Sequence, residues 1–184
     1  MIEKKMMGWH VIFAGFRNVK VSDPKVLLDR IRETSTAHIQ IFDADMIAGF
    51  DHIYFSVLNA LRAFNSGKRI SENLAVEILL YASGQHQIRK AIEMLGVKPS
   101  STRILVVVLS KIRDNALQAM LRFSEIVEGD KSDDVVKITD EKFEALKEAF
   151  EISDAELDAA LRKSRREALT SVLIERTALL VTQA

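Results

Sequence analysis

Ile104-Leu105-Val106-Val107-Val108-Leu109 is the longest unbroken aliphatic run in the chain, and it constrains everything around it. Four of its six residues are β-branched, so it reads as a central strand buried on both faces. A second segment, Leu74 to Ala82, has only Glu77 as a polar residue. A helix apolar all round must be surrounded by protein. With 48% hydrophobic residues over 184 positions, the chain has the apolar share of one globular domain. Seven Gly and two Pro are few, which disfavours loop-rich all-β architectures. The expected class is α+β: a single domain over residues 1–184, helix-rich, with a small mixed sheet of about four to five strands and packed helices. Residues 139–184 form its C-terminal helical part.

The other elements follow from periodicity and punctuation. Trp9, Val11 and Phe13 alternate with His10 and Ile12 in a buried strand, and His38 to Asp43 reads as another. Asp23 before Pro24 is an N-cap with a first-turn proline. Phe50, Ile53, Tyr54, Val57, Leu58, Leu61 and Phe64 lie at helical spacing until Ser66-Gly67. Ser71 is placed to cap the apolar helix, which Ser83-Gly84 ends, and a third helix runs through Ile88 and Leu95. Beyond the central strand come a helix to Val127, a solvated loop from Glu128 to Asp134, an edge strand over Val135 to Ile138 and a helix through Phe143 and Phe150. Ser153 with Glu156 is a capping box opening the last helical stretch. There Leu169, Leu173 and Leu180 share one face, while Ile174, Ala178 and Val181 lie nearly opposite. Ala178 to Thr182 is alternatively a final strand. Phe55 sits off the apolar stripe of its own helix. Both surfaces need a cover, from this chain or from a partner.

Twenty-six bases balance twenty-six acids, so no global field draws the protein to nucleic acid. The distribution is uneven. Residues 62–98 carry six bases against three acids, and 128–158 carry twelve acids against four bases, followed at once by Arg162, Lys163, Arg165 and Arg166. The absence of Cys excludes disulfides, a thiolate nucleophile and Cys-based metal sites. A reducing cytosol fits, no run is long enough to span a membrane, and residues 1–10 lack the apolar core of a signal peptide. The expected location is cytoplasmic.

Little in the sequence points to catalysis. Asp43 and Asp45 flank Ala44 at a strand end, where paired carboxylates can hold magnesium for phosphoryl transfer. Ile47 departs from the haloacid dehalogenase pattern, and strand-end capping is the better reading. His10, His38, His52 and His86 include no pair at metal-ligand spacing, and His52 reads as a hydrogen-bonding residue rather than a base. No phosphate loop, nucleophile elbow or dinucleotide fingerprint occurs. The junction Tyr81-Ala82-Ser83-Gly84-Gln85-His86-Gln87-Ile88, with Arg89 and Lys90, is different. A helix start beside Gln, His and cations can hold phosphate and read unpaired bases.

These residues carry a resemblance. Ile41-Phe42-Asp43-Ala44, Gly49, His52, Ala60-Leu61-Arg62-Ala63-Phe64 and above all Glu77-Ile78-Leu79-Leu80-Tyr81-Ala82-Ser83-Gly84 with Gln87-Ile88 look like the Cgi-type kinase-binding small subunit of the KEOPS complex. Ile174-Glu175-Arg176 with Ala178-Leu179-Leu180 resembles the end of its archaeal members. The resemblance implies a non-catalytic, cofactor-free and metal-free regulatory subunit in threonylcarbamoyladenosine modification of tRNA. Its partners would be the kinase-like ATPase subunit, of the PRPK type, and tRNA, with no membrane and no small-molecule substrate. Lys68, Arg69, His86, Gln87, Arg89 and Lys90 would meet tRNA; Phe55, Leu173, Ile174 and Val181 would meet the kinase. His86 stands where archaeal members often carry Arg, so by that resemblance RNA contact there would be weaker or pH-dependent. The alternatives are a magnesium-dependent phosphatase using Asp43 and Asp45, and a self-associating helical module.

Overall fold

The computed structural model describes residues 1–33 and 36–180. They fall into two compact units, each built from two stretches of chain: Met1–Ala44 with Gly96–Val135, and Asp45–Leu95 with the chain from Val136 onward.

The first unit is organised by the aliphatic run, which forms β4 (Arg103–Ser110). It lies between β2 (Trp9–Arg17) and β3 (His38–Asp43), and β1 (Ile2–Met6) extends the sheet to the order β1-β2-β4-β3. The class and strand number are those expected. The mixed character is not: every pairing among the described residues is antiparallel, Phe13 opposite Val107 and Ile39 opposite Val108 among them. All six residues Ile104 to Leu109 are buried, on both faces of the strand. On one face Ile12, Ala14, Phe16, Ile41, Val106 and Val108 share a core with Ile31 of α1 (Pro24–Glu33) and with Met120 and Phe123 of α5 (Arg113–Ile126). Asp23 does cap α1, its carboxylate accepting from the N–H groups of Lys25 and Val26.

Strand β1 has no apolar alternation to announce it. Glu3, Lys4 and Lys5 are exposed, charges that an edge strand can carry and that discourage further pairing. Met7 and Gly8, at φ of 50° and 81°, make the tight turn back to β2. The edge strand expected over Val135 to Ile138 is absent. Asp133–Val136 is a 3-10 turn instead, which buries Val135, and the pairing to β2 comes from β5 (Asp130–Lys131) within the stretch read as a loop. Gly15 explains the arrangement. A Cβ there would lie 2.3 Å from the Ser132 carbonyl oxygen and 2.5 Å from Val135 Cγ2, so the chain closes over β2 only because that side chain is missing.

The second unit is helical: α2 (Gly49–Ser66), α3 (Leu74–Ser83), α4 (Ile88–Leu95), α6 (Asp140–Ala149), α7 (Asp154–Ala159) and α8 (Arg165–Leu179). Every residue of α3 except Val76 is buried, as its all-apolar composition requires. Its cap is Asn73 rather than Ser71. The Asn73 side-chain oxygen accepts from both Ala75 and Val76 N–H, while Ser71 Oγ accepts from Asn73 N–H one step earlier. The Ser153–Glu156 capping box is present as read. Helix α8 continues through Ala178 and Leu179, so those residues form no final strand; Val181 and Thr182 lie outside the described residues. No helix is long and apolar enough to cross a membrane among the described residues.

Gly15→Ala should destabilise the protein by about 1–3 kcal/mol, the usual range for overpacking. Urea unfolding reads this directly. An unchanged midpoint would show that the Ser132–Val135 segment yields freely.

Candidate functional site

The end of α3 is built so that the chain turns sharply and stays put. Gly84 takes a left-handed conformation (φ 63°). Its N–H donates to Tyr81 O at 3.2 Å while Gln85 N–H reaches back to Leu80 O at 3.1 Å, the paired bonds of a Schellman close. Ser83 Oγ donates to Leu80 O, also satisfying the last turn. The Tyr-Ala-Ser-Gly sequence thus has a local meaning: Ser83 back-bonds and Gly84 reverses the chain.

Ala82 supplies the third part. Its carbonyl accepts from His52 Nε2 at 2.9 Å, and His52 Nδ1 accepts the Ala48 N–H at 3.1 Å. Because a backbone amide can only donate, the ring must be the neutral tautomer with its proton on Nε2. His52 is therefore a fully buried strut from the start of α2 to the end of α3. Burial pushes its pKa down to about 4; the bond to Ala82 works against that, and the Lys142 charge adds to it.

Beside this junction lies a cavity of about 490 Å³, lined by Ser83, Gly84, Gln85 and Lys90 together with Phe150 and Arg176. Arg176 is already engaged, donating to Phe150 O and to Glu156 at 2.7 Å. The Ser153 amide and Arg176 hold the Glu156 carboxyl down at about 2. Lys90 makes no ion pair with a described residue. His86, Gln87 and Arg89 are exposed next to the cavity, Arg89 pairing with Glu93 at 2.9 Å on the same helix face.

Lys68 and Arg69 are not part of this cluster. They precede α3, at its opposite end, about 15 Å away along a ten-residue helix. Arg69 pairs with Glu72 at 2.6 Å and lies over the Phe64 ring. The loop that carries them is fastened by Glu77, the one charged residue of the helix. Its buried carboxylate accepts from Ile70 N–H and, at 2.7 Å, from Ser71 N–H. Burial raises its pKa, and these bonds offset part of the rise. That role was not legible beforehand, although a lone acid in an apolar helix is a signal that something must satisfy it.

Of the residues expected to face the kinase, Phe55 is 36% exposed and stands edge-on to the Tyr54 ring. Leu173 points inward at 1% exposure, so it supports the helix rather than offering a contact surface. Ile174, half-buried, opens onto a groove beside Phe50. Two hydrogen bonds, Thr170 Oγ1 to Ala48 O and Asn59 Nδ2 to Thr177 Oγ1, lay α8 alongside α2 at this surface. Val181 lies outside the described residues.

Asp43 accepts from Ser101 Oγ at 2.7 Å, and Ser101 Oγ in turn accepts from Lys98 N–H, an arrangement that secures a loop. No group of three or more His, Cys, Asp or Glu side chains comes together among the described residues.

Two comparisons bear on this arrangement. A family model described as kinase binding protein CGI-121 matches residues 16–180. A curated relative, "Regulatory protein Cgi121" of Methanocaldococcus jannaschii, is 30% identical over 113 residues, covering 61% of this chain and 70% of the relative.

His52 makes stability pH-dependent. Its pKa in the folded protein, about 4, lies below the ordinary 6.5. Its contribution is therefore intact above about pH 6.5 and is lost as pH falls towards 4, by about 3 kcal/mol in all. His52→Gln, which can accept from Ala48 and donate to Ala82 without titrating, should flatten this part of the urea-midpoint profile. An identical slope in the variant would assign the effect elsewhere, with half-buried His38, whose pKa burial also lowers, as the first suspect.

Proposed function

Since this chain belongs to the CGI-121 family of kinase-binding proteins, we propose that it is a non-catalytic regulatory subunit that binds the kinase-like ATPase of the KEOPS complex, supports its activity and helps to hold tRNA for threonylcarbamoyladenosine modification. The observation that carries the reading is the family match across residues 16–180, which takes in both the α3 junction and all of α8.

The two surfaces suit different partners. Around α8 and α2, Ile174 and Phe55 offer apolar contacts that water otherwise reaches, the usual material of a protein interface core. At the junction, Lys90 borders the cavity while Gln87, His86 and Arg89 stand exposed. Cations beside amide and imidazole groups can hold the phosphates of an unpaired RNA end and read its bases. The Arg89–Glu93 pair does not prevent this, because exposed helix-face pairs are weak. Lys68 and Arg69, at the other end of α3, would meet a separate stretch of the RNA.

Ile174→Glu should abolish co-purification with the kinase-like subunit of the same organism while leaving the melting temperature within a few degrees of wild type, because the charge enters a contact surface. A variant that simply unfolds would make Ile174 part of the core. For tRNA, Arg89→Ala with Lys90→Ala should weaken binding and lower the slope of log affinity against log salt by about one for each phosphate that is no longer neutralised. A variant that matches wild type in affinity at both low and high salt would remove these residues from the RNA surface.

A further inference from the structure

Ile174 opens onto a groove of about 680 Å³ within the helical unit. Phe50, in the first turn of α2, and Ile174 contribute apolar lining, and Lys137, Arg162, Lys163 and Arg166 line it as well. Three of these four cations come from the short stretch around the start of α8, the basic block that follows directly on the acidic one in the sequence. Arg166 is paired with Asp140, but at an exposed site where such a pair is easily exchanged. Arg162 and Lys163 are exposed and make no ion pair with a described residue.

We propose that this groove receives an acidic, extended segment of the bound kinase, with an apolar side chain on Phe50 and Ile174 and carboxylates against Arg162 and Lys163. The inference rests on the kinase-binding reading above and adds the chemistry of what binds. Arg162 and Lys163 bring two positive charges that no described acid pairs, and an incoming acidic segment gains from both. The groove draws its lining from α2, from Lys137 and Ile138 and from α8, a spread that a length of chain can follow. Its two carboxylates favour polypeptide over RNA. Asp51 and Glu167 also line the groove, in the first turns of α2 and α8. A phosphodiester strand brings one negative charge with every nucleotide and would be driven against them, whereas a peptide can space its acids to miss them.

Binding of the kinase subunit, followed by calorimetry from about 50 to about 200 mM salt, tests this for wild type, for Arg162→Glu with Lys163→Glu, and for Ile174→Glu. The expected result is an affinity that falls as salt rises in the wild type. The charge-reversed variant should lose at least about tenfold at low salt, at an unchanged melting temperature. Arg162→Gln with Lys163→Gln should fall between the two, and it serves as the reading if the reversed variant does not fold. Full affinity and an unchanged salt slope in both charge variants, with binding abolished by Ile174→Glu, would overturn the acidic occupant and leave kinase binding standing. Wild type that binds no kinase would overturn both. Charge variants that lose tRNA and keep the kinase would assign the groove to RNA.

Discussion

A helix buried on all sides cannot carry polar chemistry along its length, and that constraint on α3 arranges the rest of the helical unit. Its backbone groups satisfy one another inside the helix, so what is left unsatisfied collects at its two ends. At the start, Asn73 takes two free N–H groups and Glu77 holds the incoming loop through Ile70 and Ser71. At the finish, Ser83, Gly84 and the Ala82 carbonyl bring in the turn and His52. The candidate RNA residues are found just outside those two ends because that is where the chain returns to water. Burial of the helix thus separates the basic residues into two groups, an outcome that their closeness in sequence conceals.

The strut and the latch are opposite electrostatic solutions to being buried. His52 meets burial by staying neutral, with one ring nitrogen accepting and the other donating, and its pKa falls accordingly. Glu77 accepts backbone N–H groups, which favour its charged form, and burial pulls its pKa the other way. Tyr81, one turn further along the same helix, has its phenol pushed up to about 12, first by burial and then by that carboxylate. The two titratable groups of α3 are thus both shifted upward by burial, and Glu77 is held by backbone N–H groups as well.

The features legible in the sequence were those with local physics. The all-apolar helix, the aliphatic central strand, the Asp23 cap and the Ser153–Glu156 box all follow from residues within a turn or two of one another. What escaped depends on distant residues. Strand β1 is charged throughout its middle and pairs only because the Met7-Gly8 turn brings it back onto β2. Val135 is drawn into a buried 3-10 turn because Gly15, over a hundred residues earlier, leaves space for it. The passage of the chain between its two units near residues 44, 95 and 135 is marked by no linker composition, because each unit is completed by segments far apart in the sequence. At the site, the junction motif was readable from its residue types. The separation of Lys68 and Arg69 from Lys90, and the inward turn of Leu173, required the helices in place.

The charges of the helical unit divide by whether they already have a partner. Arg69, Arg89 and Arg176 each lie against a glutamate, Lys147 and Arg165 share Asp154, and Arg166 meets Asp140, so many bases of the unit already hold an acid. Arg162, Lys163 and Lys90 are matched by no ion pair with a described residue, and they border two recesses of the surface. A neutral protein with scattered, paired charges gains nothing by meeting an anion. One that sets unpaired cations beside recesses has an electrostatic preference in each, and the apolar or polar lining next to them decides between peptide and nucleic acid. A net charge of +0 is for this reason compatible with two anionic partners: the field that matters extends about 10 Å at moderate ionic strength, and over that distance the sum over the whole chain is irrelevant.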